Sequence, residues 1–167
     1  ALHDRMEKAL FGHPLWAEID RGTMNNADLA DAASKLAPDL SDAIHYYLEN
    51  WVKFFYLIPE NVDTFYRIKD TGTKVYILSN FSKENFEIME SRYPWLKDFD
   101  GRIISYREKL IKPDSPIYHL LIDRFKLNPA RSVFIDDLEA NVRTAINVGL
   151  NAIWHDPGKP IAPYFVF

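Results

Sequence analysis

Ser132–Asn141 reads SVFIDDLEAN, a short apolar, strand-like run that meets two adjacent aspartates and then turns helix-forming. Neighbouring carboxylates repel each other, and burying even one without a partner is costly. Asp136 and Asp137 therefore call for a cation, a basic residue or open solvent. A strand that stops on charge and passes into a helix also marks a junction of an α/β fold.

The sequence upstream of this junction has the same rhythm. KVYILSN, residues 74–80, is a short β-rich run of the kind a parallel strand buries on both faces. The spacing predicts a helix over about 83–92, a strand around Arg102–Ser105 and a helix over about 115–126. After the strand Ser132–Ile135 come a helix over about 138–148, closed by Gly149, and a last strand Asn151–Trp154. Strands alternating with helices of this length imply right-handed crossovers and a Rossmann-like parallel sheet flanked by helices. Ligands of such sheets bind beyond the carboxyl ends of the strands. Ser79–Asn80 and Asp136–Asp137 both stand at such ends.

Before Pro59 the pattern is helical only. Leu2, Met6, Ala9 and Leu10 form one short face, ended by Gly12 and Pro14. Asn25 or Asn26 offers a cap for a helix through Leu29, Ala32, Ala33 and Leu36, stopped by Pro38. A third helix opens at Ser41 or Asp42 and runs through Ile44, Leu48, Trp51 and Phe55. The expected organisation is a small all-helical cap over residues 1–58 and an α/β core over 59–167, whose first helix, NVDTFYRIKDTG, ends at Gly72.

Bulk properties narrow the function. The 167 residues carry a net charge of −4, so there is no broad basic footprint for nucleic acid, and an anionic ligand must be captured by a few placed groups. No cysteine is present, which excludes thiolate metal sites and cysteine nucleophiles and is compatible with a cytoplasmic setting. No apolar run approaches the roughly 18 residues of a membrane span.

The residues suited to chemistry lie near the strand ends. Asp136 and Asp137 are oxygen ligands for a hard cation such as magnesium, with water and substrate oxygens completing an octahedron. The plainer alternative has Asp137 capping the next helix and Asp136 solvated. Ser79 and Asn80, with the N–H groups that follow, can hold phosphoryl oxygens; ordinary helix capping is the alternative here too. Lys112 precedes Pro113, is thereby kept out of the following helix, and can project its ammonium toward aspartates or phosphate. His155 and Asp156 read as loop residues.

In the order ILSN, KPD, FIDD, these motifs resemble those of the haloacid dehalogenase superfamily over roughly residues 59–158. The helical segment stands where that superfamily carries its helical cap. The resemblance implies that Ser79 and Asn80 bind the transferring phosphoryl group, that Lys112 stabilises its charge, and that Asp136 and Asp137 hold Mg2+. It further implies hydrolysis of a small phosphorylated metabolite, such as a sugar phosphate, through an aspartyl-phosphate. Dehalogenases of the superfamily work without a metal, so the acidic pair favours the phosphatase branch. Trp16, Tyr46, Tyr47, Trp51 and Phe54 offer ring surface, most of it expected to pack between cap helices.

One motif of the superfamily is missing: an apolar strand ending in Asp-x-Asp, upstream of the cap, which supplies the nucleophile and the general acid. Asp4 lies in a helix-like stretch, Asp20 follows WAEI but is followed by Arg-Gly, and Asp28 and Asp31 share a helix; none ends an apolar strand with a second Asp two residues on. The family's strand would sit between those expected at 74–79 and 132–135, leaving two unpaired edges. The expectation is an N-terminus that extends beyond Ala1. A strand donated by another chain, or by the terminal YFVF, is the alternative, as is a catalytically inactive binding module of the same fold. A phosphorelay receiver would use similar groups, but with its acidic pair first and its lysine last.

Overall fold

The computed structural model describes residues 2–166. In chain order it contains α1 (Leu2–Leu10), α2 (Trp16–Arg21), α3 (Asn26–Leu36), α4 (Ser41–Asn50), α5 (Pro59–Asp70), β1 (Tyr76–Ser79), α6 (Lys83–Arg92) and β2 (Gly101–Ile104). It continues with α7 (Ser105–Glu108), α8 (Ser115–Phe125), β3 (Val133–Asp136), α9 (Glu139–Asn147) and β4 (Asn151–Trp154). The class is α/β, with short strands between helices. No helix among the described residues is long and apolar enough to cross a membrane.

The chain forms two compact units. One comprises 1–56, 80–96 and 104–111; the other comprises 57–79, 97–103 and 112–167. The helical segment is thus packed together with α6 and α7, which lie far from it in sequence.

The first unit is centred on Leu10, Ile19, Leu29, Ala33, Ile44 and Leu48, all buried. Asn25 caps α3 by accepting from the Asp28 N–H at 2.9 Å. The chain turns at Gly22, whose φ of 69° is left-handed and where an added Cβ would lie 2.8 Å from Tyr106 Cβ. This glycine lets α2 approach α7. At six residues, α2 is too short to show a hydrophobic period, so the sequence pattern passes over it. The helix expected to run through Phe55 instead ends at Asn50, and Trp51–Phe54 continues as a tighter 3-10 turn.

In the second unit, β3 and β4 pair in parallel, with Val133 opposite Asn151 and Asp136 opposite Trp154. β1 pairs with β2, and among the described residues no ladder joins the two pairs. The terminal YFVF does not fill the gap. Ala162–Tyr164 forms a 3-10 turn, Phe165 and Val166 belong to no strand, and Phe167 lies outside the described residues. Pro160 and Pro163 precede it and lack the N–H groups a ladder needs. Gly101 opens β2 against the Phe125 ring, too close for any side chain.

Asp100 anchors the start of β2. Its carboxylate accepts from the Val75 N–H at 2.9 Å, from Lys74 at 2.9 Å and from Lys69 at 3.1 Å. Burial alone would raise its pKa, but these donors outweigh burial and hold it at about 2. A carboxyl depressed in the folded state stabilises the protein above its unfolded pKa of about 3.9, and that contribution fades as pH falls toward the folded value. Asp100→Asn is therefore expected to lower the neutral-pH melting temperature and to flatten its decline between about pH 4 and pH 2. Parallel acid melting curves for the two proteins would refute this account of Asp100.

Candidate functional site

The site is built on the last residue of β3. Asp136 is buried at 9% exposure, and each of its carboxylate oxygens is engaged. Oδ2 accepts from Lys112 Nζ at 2.6 Å. Oδ1 accepts from the Leu138 N–H at 2.9 Å and from Asn141 Nδ2 at 2.8 Å. Its backbone carbonyl accepts from the His155 N–H at 2.9 Å, which ties β3 to the chain leaving β4. The basic partner that paired aspartates require is thus supplied by the protein itself.

Lys112 lies in the turn before α8, at a cis Lys112–Pro113 peptide. Its side chain is 11% exposed, and Nζ stands 5.6 Å from the centre of the Phe134 ring. Tyr118, fully buried on α8, donates to the Asn141 carbonyl at 3.1 Å. Burial, and secondarily the charge of Asp136, push the Tyr118 hydroxyl pKa upward, so it remains a donor.

Asp137 has a different environment. It is exposed, and its backbone carbonyl accepts from the Trp154 indole N–H at 2.8 Å. The capping alternative is therefore inverted: Asp136 takes up the N–H at the helix entrance, and Asp137 is the solvated member. Asp136 is the last residue of β3, whereas Asp137 lies in the bend beyond the strand and is exposed there.

Ser79 ends β1 and Asn80 follows it, both partly buried. Neither caps the next helix. Ser82 does so, accepting from the Asn85 N–H. Immediately after Asn80, the Phe81 N–H donates to Ser105 Oγ at 2.9 Å, and that hydroxyl donates to the Asp20 carbonyl at 2.5 Å.

Of the candidates named from sequence, the structure brings Lys112 and Asp136 into direct contact. Asn141 and Ser105 are the positioning residues that sequence reasoning missed. Asn141 had a usable signal: it is an amide in the first helical turn after the aspartates, facing back toward the strand end. Ser105 had none, because its partners are distant in sequence.

The chain's own Asp-x-Asp, Asp98–Phe99–Asp100, precedes β2 instead of ending a strand. Its carboxylates are taken by Tyr66 at 2.6 Å and by the Asp100 lysines. Asp4, Asp20, Asp28 and Asp31 lie in α1, α2 and α3. Among the described residues no group of three or more His, Asp or Glu side chains converges as a metal cage. Magnesium does not require one, since one or two carboxylates with water and phosphate oxygens suffice. The donor set of Asp136 and Asp137 fits that requirement.

The site is thus a buried lysine–carboxylate pair at the end of a parallel strand of an α/β fold. The chain belongs to the haloacid dehalogenase-like hydrolase family, whose model matches residues 3–149. It is 33% identical over 90 residues to acyl-CoA dehydrogenase family member 10 of Mus musculus, covering 52% of this chain and 8% of that protein. It is 32% identical over 84 residues to the sesquiterpene phosphatase astK of Aspergillus oryzae, covering 50% of this chain and 42% of that protein. The matches thus span less than half the length of these curated relatives. Among solved structures, a HAD family enzyme of Bacteroides thetaiotaomicron superposes with a TM-score of 0.76 at 20% identity, over 99% of this chain and 83% of that one. Another structure of that enzyme, in complex with magnesium and inorganic phosphate, superposes with a TM-score of 0.73 at 20% identity, covering 98% and 89% of the two chains. At these identities the structural likeness concerns the fold.

The unequal settings of the two aspartates have a measurable consequence. Asp136→Asn leaves a largely buried ammonium without its counter-charge and is expected to cost about 3 kcal/mol of stability by chemical denaturation. Asp137→Asn, at an exposed carboxylate, is expected to cost less than about 0.5 kcal/mol. Equal losses would overturn the assignment of separate roles.

Proposed function

We propose that this protein is a magnesium-dependent hydrolase of small phosphomonoesters. The observation that carries the reading is the buried Lys112–Asp136 pair at the carboxyl end of β3, with Asp137 beside it as a second oxygen donor. The neighbour crystallised with magnesium and inorganic phosphate and the relative named as a phosphatase support the same chemistry.

In this reading Ser79 and Asn80 hold phosphoryl oxygens through hydroxyl, amide and backbone donors. Lys112 offsets the charge of the phosphoryl group, and its position is fixed by Asp136. Asn141 and the Leu138 N–H orient the Asp136 carboxylate. Magnesium, when bound by Asp136 and Asp137, would neutralise phosphoryl charge and polarise the phosphorus–oxygen bond. The proposed route is attack of a carboxylate oxygen on phosphorus with loss of the ester oxygen, which takes up a proton from a general acid. Water then hydrolyses the acyl phosphate. Among the described residues no Asp-x-Asp ends a strand, so the nucleophile is not assigned to a residue here. That same observation favours a second reading, a binding module that holds phosphate without turnover.

Release of inorganic phosphate from a panel of phosphomonoesters, measured on the whole gene product with magnesium and with EDTA, separates the two. The hydrolase reading expects release that EDTA abolishes and that Lys112→Ala lowers by about 100-fold in kcat/KM. Phosphate binding without release from any member of the panel would favour the non-catalytic module. Release unaffected by EDTA would refute the metal requirement.

A further inference from the structure

Trp154 ends β4 and is 63% exposed. A ring so exposed gains little from burial, so packing does not account for a tryptophan at this position. Its register offers an account. Trp154 lies opposite Asp136 in the parallel β3–β4 pair, and its indole N–H donates to the Asp137 carbonyl at 2.8 Å, a well-formed hydrogen bond.

That carbonyl stands where the chain changes backbone partners. The Asp136 carbonyl still accepts from the β4 side, from the His155 N–H at 2.9 Å. The Leu138 carbonyl already serves α9, accepting from the N–H groups of Asn141 at 3.0 Å and Val142 at 3.1 Å. Asp137 lies between ladder and helix, exposed in the bend. The peptide that joins it to Leu138 is nevertheless held at both ends. Its N–H donates to Asp136 Oδ1 at 2.9 Å, and its carbonyl is met by the indole. The peptide before Asp137 is held by His155. Both peptides that flank the Asp137 Cα are therefore fixed, while its side chain is left in solvent.

Magnesium demands near-octahedral geometry and gives up water reluctantly. A carboxylate carried on a backbone that is already fixed has less freedom to lose when it meets such an ion.

We propose that Trp154 is a positioning residue for magnesium: its indole N–H, by holding the Asp137 carbonyl, fixes the backbone from which the Asp137 carboxylate reaches the ion. This rests on the magnesium requirement in the reading above and adds to it a residue of β4 that acts through Asp137.

The test is calorimetric titration of the whole gene product with magnesium chloride, for the unaltered protein, Trp154→Phe, Asp137→Ala and the double variant. Phenylalanine keeps an aromatic ring and removes the N–H. Trp154→Phe is expected to bind magnesium about threefold to tenfold more weakly, the loss of one hydrogen bond. Its melting temperature without magnesium is expected to stay within about 2 °C, because the position is exposed. In the Asp137→Ala background the same substitution is expected to change affinity less than about twofold, since the group it positions is gone. Binding weakened by Asp137→Ala but untouched by Trp154→Phe would overturn the positioning role and leave the magnesium requirement standing. So would an equal loss from Trp154→Phe in both backgrounds, because that effect would not pass through Asp137. Binding unaffected by Asp137→Ala would remove Asp137 from the ion and the proposal with it. Failure of the unaltered protein to bind magnesium would sink the positioning role and the magnesium requirement together.

Discussion

The ion pair between Lys112 and Asp136, 2.6 Å long and largely shielded from water, is the contact on which the second unit's site depends. Neither charge is stable there alone, because the cost of removing an ion from water exceeds what apolar surroundings return. Together they are tolerable only if the remaining hydrogen-bonding capacity is also met. The Leu138 N–H and Asn141 meet it on the carboxylate side. Tyr118 then extends the same logic outward: its ring packs 5.5 Å from Phe134 on β3, and its hydroxyl holds the Asn141 carbonyl on α9. One buried charge pair thereby fixes the relative positions of α8, β3 and α9.

Such a pair contributes more to specificity of arrangement than to stability. Two well-packed apolar residues of similar volume would serve the fold equally well or better. What they would not provide is a lysine ammonium and a carboxylate oxygen at the end of a parallel strand pair. The first unit shows a parallel case. Ser105 is fully buried, and its single hydroxyl joins Asp20, at the end of α2, to Phe81, just beyond the end of β1. It holds together segments that no apolar contact alone would register so closely.

Much of this was legible in the sequence because it follows from local rules. The strand Asn151–Trp154 and the helix over 83–92 appear at the residues expected, since a short β-rich run and a clear helical period allow little else. The boundary at Gly72 was readable for the same reason: its φ of 82° is a conformation glycine adopts without strain. What was not legible depended on distant partners. The grouping of α6 and α7 with the helical segment rests on rings such as Trp51 and Phe81 and on Ser105, none of which announces its partner locally. The difference between Asp136 and Asp137 was hidden too. Adjacent residues of the same type read identically until the fold buries the one that ends β3 and leaves the next, in the bend beyond it, to solvent.

That difference also determines what the acidic pair can hold. A carboxylate has about four lone-pair sites. Among the described residues, Asp136 Oδ1 accepts two donors and Oδ2 accepts Lys112, which leaves one site on Oδ2 for a cation. A divalent ion would then be held by the remaining capacity of Asp136 together with the exposed Asp137. The charge balance leads to the same conclusion. Lys112 and the two aspartates sum to one negative charge, which repels a phosphate; with a divalent cation the sum becomes one positive charge, which attracts it. Cation and phosphate would therefore each raise the affinity for the other, by the reciprocity that governs any two ligands of one site. A buried lysine paired with only one of two aspartates is what leaves this balance so close to neutral that a single ion can reverse its sign.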